Sequence, residues 1–180
     1  MKAGQIVDDF TAIDQHGATR SLSELLSSGP VVLYFYPKAF TPGCTREACH
    51  FRDMDAELRA AGGQAVGVSA DAVDRQAAFD EKHSLGFPLL SDPDRRLARM
   101  FGVKRPGPLF NKRATFVIDT DRRVLAVISS ELNMNVHADQ AIAALRSRPA
   151  AAVQTEIPGT PQTWPQPAET PAAEKTSAEG

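Results

Sequence analysis

Apolar and polar positions alternate in short runs through the first 148 residues, and the alternation stops there. Val31 to Tyr36 is a continuous β-branched and aromatic run between Pro30 and Pro37. A run with no polar face predicts a buried central strand. Phe10 to Asp14 and Ala18 to Ser21 read as short strands about the turn Gln15-His16-Gly17, and Ser21 with Glu24 offers a capping box for a short helix. Beyond Pro37 a helical pattern runs from Thr41 through Ala61, where Gly62-Gly63 stops it, and Gln64 to Ser69 reads as a second strand. Asp71 is placed to cap a helix to Ser84, and Asp92-Pro93 to open one to Phe101. Ala114 to Asp119 and Val124 to Ser129 read as paired strands around Asp121-Arg122, followed by a last helix over Ala138 to Ser147. Strands alternating with helices predict an α/β sandwich built on βαβ units.

From Pro149 to Gly180 the composition shifts to Pro, Ala, Thr, Gln and Glu, with six of the thirteen prolines. Such a segment buries too little apolar area to offset chain entropy, so the reading is one domain over 1–148 and a disordered tail over 149–180. Trp164, the only tryptophan, falls in that tail as a solvated residue or a docking anchor.

A formal net charge of −2 gives no reason to expect nucleic acid or an anionic membrane as partner. The N-terminus meets Asp8 and Asp9 before a signal-peptide core could form, and no apolar run is long enough to span a bilayer. The expected location is the cytoplasm, where a close cysteine pair reads as redox or metal chemistry more readily than as a structural disulfide.

That pair is Cys44 and Cys49, the only cysteines in the chain. At 100° per residue, Ala48, Phe51, Met54, Leu58 and Ala61 form one apolar stripe. Cys44 falls at its edge and Cys49 on the opposite side, among Thr45, Arg52 and Ala56. Ideal helix geometry puts the two α-carbons about 8.7 Å apart, beyond the roughly 7 Å limit for a disulfide. The thiols can bond only if the helix start unwinds. Thr41 fits the capping position and Pro42 the first helical position, so Cys44 lies in the first turn, where the helix dipole and unpaired amides favour a thiolate. Cys44 is therefore the candidate nucleophile. A metal site is a different class of reading, with Cys44, Cys49 and His50 joined by His137 or His83. A disulfide reductase of the thioredoxin kind would want a Cys-x-x-Cys pair, which the sequence lacks.

Pro37, Thr41 and Cys44 match the Pro-x-x-x-Thr-x-x-Cys signature of peroxiredoxins, and the stretch Tyr34 to Thr45 resembles the PrxQ, or bacterioferritin-comigratory, subfamily. The likeness runs from Gly4 to about Leu145 and includes Gly67-Val68-Ser69-Ala70-Asp71, Leu89-Leu90-Ser91-Asp92, Phe101-Gly102-Val103 and Arg113-Ala114-Thr115-Phe116-Val117-Ile118-Asp119. The resemblance implies a thioredoxin-like fold of the peroxiredoxin type, with a central mixed sheet flanked by helices, acting as a monomer. It implies reduction of hydrogen peroxide and organic hydroperoxides by Cys44 as peroxidatic cysteine, with Cys49 resembling the resolving thiol. Thr41 would hydrogen-bond the peroxide, Pro37 would shield the site, and Arg113 would hold the thiolate and the peroxide oxygens. Glu47, an acid beside the apolar stripe, is expected to orient Arg113. A thioredoxin-type partner is the implied reductant, with no cofactor; a single-cysteine route with an external thiol is the alternative.

For a thiol in general, lowering the pKa from about 8.5 to about 6 multiplies the thiolate near neutral pH roughly thirtyfold. A Brønsted slope near 0.45 then removes roughly tenfold in nucleophilicity. Ionisation alone gains little, so positioned donors on the splitting O–O bond have to supply the acceleration.

Overall fold

Val31 to Phe35 forms an interior strand of the sheet, and all five of its side chains are buried. Successive residues of a strand face opposite sides, and the core divides accordingly. In the computed structural model, which describes residues 1–107 and 109–148, Val31, Leu33 and Phe35 pack with Phe10, Leu97, Phe101 and Phe116 on one face. Val32, Tyr34 and Tyr36 pack with Phe51, Leu58, Phe79 and Ile142 on the other. Each large side chain so buried contributes on the order of 2 kcal/mol, so a strand apolar on both faces joins the two halves of the core.

The elements in chain order are β1 (Thr11–Asp14), β2 (Thr19–Ser21), α1 (Leu22–Leu26), β3 (Val31–Phe35), α2 (Pro42–Asp53), α3 (Asp55–Ala60), β4 (Gln64–Ser69), α4 (Val73–His83), β5 (Leu89–Ser91), α5 (Arg96–Met100), β6 (Ala114–Ile118), β7 (Val124–Ile128) and α6 (Asn135–Arg146). The seven strands form one mixed sheet in the order β2-β1-β5-β4-β3-β6-β7. β3, β4 and β5 are parallel to one another, and β6 runs antiparallel to β3. This is the thioredoxin-like arrangement that the sequence resemblance implied. No helix among the described residues is long and apolar enough to cross a membrane.

Four expectations change. β5, Leu89–Ser91, carries too few residues to display a period and shows in the sequence only through the family likeness; it bridges β1 and β4. The helix predicted through Ala61 divides at Met54, which leaves helical geometry at φ −93° and ψ 4°. Asp71 does not cap α4, whose N-cap is Ala72 with no side-chain bond. Its carboxylate instead accepts from the Ala39 amide and the Ser69 hydroxyl. The last helix starts at Asn135, three residues before the predicted Ala138, and so includes His137.

Other signals act as read. Ser21 Oγ accepts from the Glu24 amide at 3.0 Å to cap α1. Asp92 accepts from the amides of Leu97 and Ala98 at 3.0 and 2.9 Å, satisfying the first turn of α5 from four residues upstream. The tail reading for 149–180, with Trp164, lies outside the described residues.

Candidate active site

The end of β3 and the register of its neighbours bring the chemistry to one edge of the sheet. Phe35 is paired with Ala114 across the β3–β6 ladder, so Arg113, one residue ahead of β6, lies beside the chain that leaves β3. That chain is Tyr36 to Thr41, and it feeds directly into α2. Thr41 has extended backbone, φ −81° and ψ 148°, as the residue before a proline must. Pro42 takes the first helical position, where a missing amide hydrogen costs nothing.

Thr41 sits at the capping position but does not cap. Its hydroxyl donates to the Lys38 carbonyl at 3.0 Å, and no side chain caps the helix. Among the described residues, the amides of Gly43 and Cys44 find no protein acceptor, so two donors remain open at the positive end of α2.

Cys44 is 1% exposed, and its sulfur lies 3.4 Å from Nη2 of Arg113. One turn further along α2, the fully buried Glu47 accepts from Nη1 of the same guanidinium through Oε2. The fork geometry of arginine serves both: one nitrogen is fixed by the carboxylate and the other turned to sulfur. Burial pushes the Glu47 carboxyl up to about 8, against the pull of Arg113. Burial opposes the charge on Arg113, but Glu47 and Cys44 more than offset it and hold the guanidinium above its ordinary value. Arg113 is therefore a fixed cation beside a buried thiol.

Behind this row stands a residue that the sequence reading used only as a metal candidate. His137 is fully buried, with Nε2 donating to the Ser130 carbonyl at 3.0 Å. Because a carbonyl can only accept, the proton is on Nε2, and Nδ1 accepts from the Thr115 hydroxyl at 2.8 Å. Nδ1 also lies 3.8 Å from Glu47 Oε1, which has no hydrogen-bond partner among the described residues. Burial holds His137 below its ordinary value, and the charge on Arg113 adds to this.

Gly43 was also missed, although it stands inside the motif. A Cβ there would lie 3.3 Å from Arg113 Nη2 and 3.6 Å from the Met134 Cε, so a glycine leaves the guanidinium room to reach Cys44. Its signal was a helix-breaking residue inside the first turn. Met134 carried no signal, because its nearness to Gly43 depends on where α6 begins.

Cys49 is half-buried and unbonded, on the far side of α2 from the buried row Cys44, Glu47, Ala48 and Phe51. The metal reading gains nothing from the geometry. His50 pairs with Asp139 at 2.9 Å, His83 packs against Phe79, and His137 is bound to Thr115 and Ser130. Among the described residues, no three His, Cys, Asp or Glu side chains are grouped to hold an ion.

The chain is similar to known proteins in both sequence and fold. The AhpC/TSA family model matches residues 3–127. The crystal structure of peroxidoxin BcpB from Mycobacterium tuberculosis is 55% identical, with a TM-score of 0.79, covering 81% of this chain and 97% of that one. Peroxiredoxin Bcp of Escherichia coli K12 is 38% identical over 143 residues, 76% of this chain and 91% of the relative. A Xanthomonas campestris bacterioferritin comigratory protein, described for its alkyl peroxide reduction activity, is 31% identical with a TM-score of 0.71, covering 76% of this chain and 90% of its own.

Proposed function

Because the chain belongs to the AhpC/TSA family and is a peroxiredoxin, a thiol-dependent peroxidase, we propose that it reduces hydrogen peroxide and organic hydroperoxides through Cys44, with Cys49 as resolving thiol. The observation that carries this reading is the 3.4 Å approach of Arg113 to the Cys44 sulfur, with Glu47 fixing the opposite nitrogen.

In the first step the Cys44 thiolate attacks the terminal peroxide oxygen. An S–O bond forms, the O–O bond breaks, and its electron pair leaves on the alkoxide or hydroxide, which takes a proton to become alcohol or water. Cys44 becomes a sulfenic acid. Arg113 reaches the sulfur, and the open amides of Gly43 and Cys44 lie in the same first turn of α2, donors for the negative charge that spreads as the O–O bond splits. The Thr41 hydroxyl, its proton given to the Lys38 carbonyl, keeps lone pairs to accept from a hydroperoxide O–H. Pro37, half-buried at the exit of β3, limits water at that point. Glu47 acts through Arg113, holding the guanidinium so that little reorganisation is needed as charge develops.

In the second step the Cys49 sulfur attacks the sulfenic sulfur, an S–S bond forms and water leaves. The reach of the two thiols requires α2 to open from its first turn. An external dithiol of the thioredoxin type then reduces the disulfide, by two electrons and two protons, in the cytoplasm. The likeness to a Xanthomonas protein described for alkyl peroxide reduction supports including organic hydroperoxides among the substrates.

Mass spectrometry of the reduced protein after one equivalent of peroxide tests the assignment. A Cys44–Cys49 disulfide, two hydrogens lighter than the dithiol, is expected. A persistent Cys44 sulfenic acid with Cys49 still free would replace the two-cysteine route by the single-cysteine one, with an external thiol resolving the intermediate.

A further inference from the structure

The peroxide chemistry leaves unexplained how the two residues before Thr41 are held. Phe40 has φ +66°, a left-handed conformation that bulky side chains avoid. Such strain persists only where surrounding contacts over-determine it. Here they do. The Ala39 amide donates to Asp71 Oδ2 at 2.7 Å, and the Ala39 carbonyl accepts from Arg75 Nη2 at 3.1 Å. Arg75 Nε pairs with Asp71 Oδ1 at 3.0 Å, so one ion pair closes around both backbone groups of a single residue. The Ser69 hydroxyl donates to Asp71 Oδ2 at 2.8 Å and ties the carboxylate to the end of β4. Phe40 lies edge-on to Phe79, with ring centroids 5.2 Å apart, and the Arg75 guanidinium lies 5.2 Å from its centroid.

We propose that Asp71 and Arg75 are positioning residues for peroxide reduction: their ion pair clamps Ala39, and so sets where the Thr41 hydroxyl and the first turn of α2 stand relative to Cys44. The proposal rests on the peroxidase reading of Cys44. The path is short and covalent, since Ala39 is two residues from Thr41, whose hydroxyl is bonded to the residue before Ala39. With φ fixed at an unfavourable value, the loop has one placement and springs away from it when the clamp is removed. Neither Asp71 nor Arg75 touches the reacting sulfur. Their effect falls on a reaction that needs several aligned donors, and spares one that needs only an accessible thiol.

The test uses the full chain in a Cys49→Ser background, where Cys44 is the only thiol, with Arg75→Ala, Arg75→Lys and Asp71→Asn. Rates of hydrogen peroxide reduction and of alkylation by iodoacetamide are measured on the same samples. Misplacement by a fraction of an ångström lowers the peroxide rate constant about tenfold in Arg75→Ala and in Asp71→Asn, with alkylation changed less than about twofold. Arg75→Lys keeps the charge over Phe40 but not the two-sided reach, and recovers part of the loss. Arg75 is partly exposed, so its alanine variant keeps the question answerable should Asp71→Asn fail to fold. Peroxide rates within twofold of the parent in Arg75→Ala overturn the proposal. Equal slowing of peroxide reduction and alkylation overturns it too, since that is the signature of a loosened fold. A parent protein whose peroxide consumption survives Cys44→Ser removes the underlying reading, and the clamp with it.

Discussion

Arg113 faces the Cys44 sulfur at 3.4 Å from a backbone position fixed by the β3–β6 ladder, not by the helix that carries the cysteine. The thiol and its cation thus sit on independent elements, and either can be altered alone. Arg113→Ala is expected to slow peroxide reduction on the order of a hundredfold, the size of a lost charge-stabilising donor. Thr41→Val is expected to slow it about tenfold. Alkylation by iodoacetamide should change less than about threefold in both, because it develops no charge on a splitting O–O bond. Arg113→Ala leaves Glu47 buried without its partner, so Arg113→Ala/Glu47→Gln serves as the folded control. Equal slowing of the two reactions would remove Arg113 from the chemistry.

Gly43→Ala predicts a change in rate without a loss of stability. Alanine is the better helix former by about 1 kcal/mol, yet its methyl would lie 3.3 Å from Arg113 Nη2. The guanidinium has to shift while the helix gains. A lower peroxide rate constant, by about threefold to tenfold, with an unchanged or raised Tm is the expected pair of results. A drop in Tm would point to a clash that the side chains do not absorb.

Much of this site could be read from residue order, and the unread parts share one cause. Cys44, Thr41 and Pro42 are adjacent in sequence, and local rules about proline and helix starts placed them. Glu47 was inferred from an acid on an apolar stripe. Arg113 was identified through family likeness; its approach to the sulfur depends on register between strands some eighty residues apart, which no local pattern encodes. β5 and the role of His137 were missed for the same reason; Gly43 carried a local signal, but what its missing side chain makes room for is Arg113, from a distant strand. Leu89–Ser91 is a strand because β1 and β4 bracket it, and His137 is a core residue because α6 starts early and faces Thr115. The break at Met54 was hidden by an apolar stripe that continues in phase through it.

Oxidation of Cys44 and Cys49 to the disulfide should be visible in the backbone. In the reduced protein α2 runs unbroken from Pro42 to Asp53 and keeps the two thiols on different sides. Hydrogen exchange of the oxidised protein should show lost protection over residues 41–50, while β3 and β6 stay protected. Equal protection in both states would rule out the opening that the disulfide requires.

His137 makes a specific contribution to acid sensitivity. Burial depresses its folded-state value below 6.5, so the unfolded chain binds more protons as pH falls through that region, and the stability it supplies is present above about pH 6.5 and lost below it. The slope is at most about 1.4 kcal/mol per pH unit for one proton. Glu47 across from it titrates with the opposite sign, since a raised carboxyl loses stability as pH rises toward 8. Arg113 is charged throughout, and Glu131 in the preceding loop favours the protonated imidazole. Urea unfolding between pH 5 and 8 should therefore give a stability gap between parent and His137→Gln that narrows toward pH 5. A gap that stays constant with pH would mean that the imidazole does not titrate with folding.

The interruption at Met54 makes α2 and α3 separate mechanical units. Phe51 near the end of α2 and Leu58 of α3 are both anchored in the core, whereas α2 begins at an open first turn at Pro42 and ends where helical geometry has already stopped. Unwinding that starts at Cys44 meets the buried Phe51 and then, ten residues on at Met54, a natural stop, before it can pull on α3. In the two-cysteine route proposed above, the rest of the molecule would serve as a fixed template on which those residues re-form after each reduction, and every catalytic cycle would include a small, bounded refolding event.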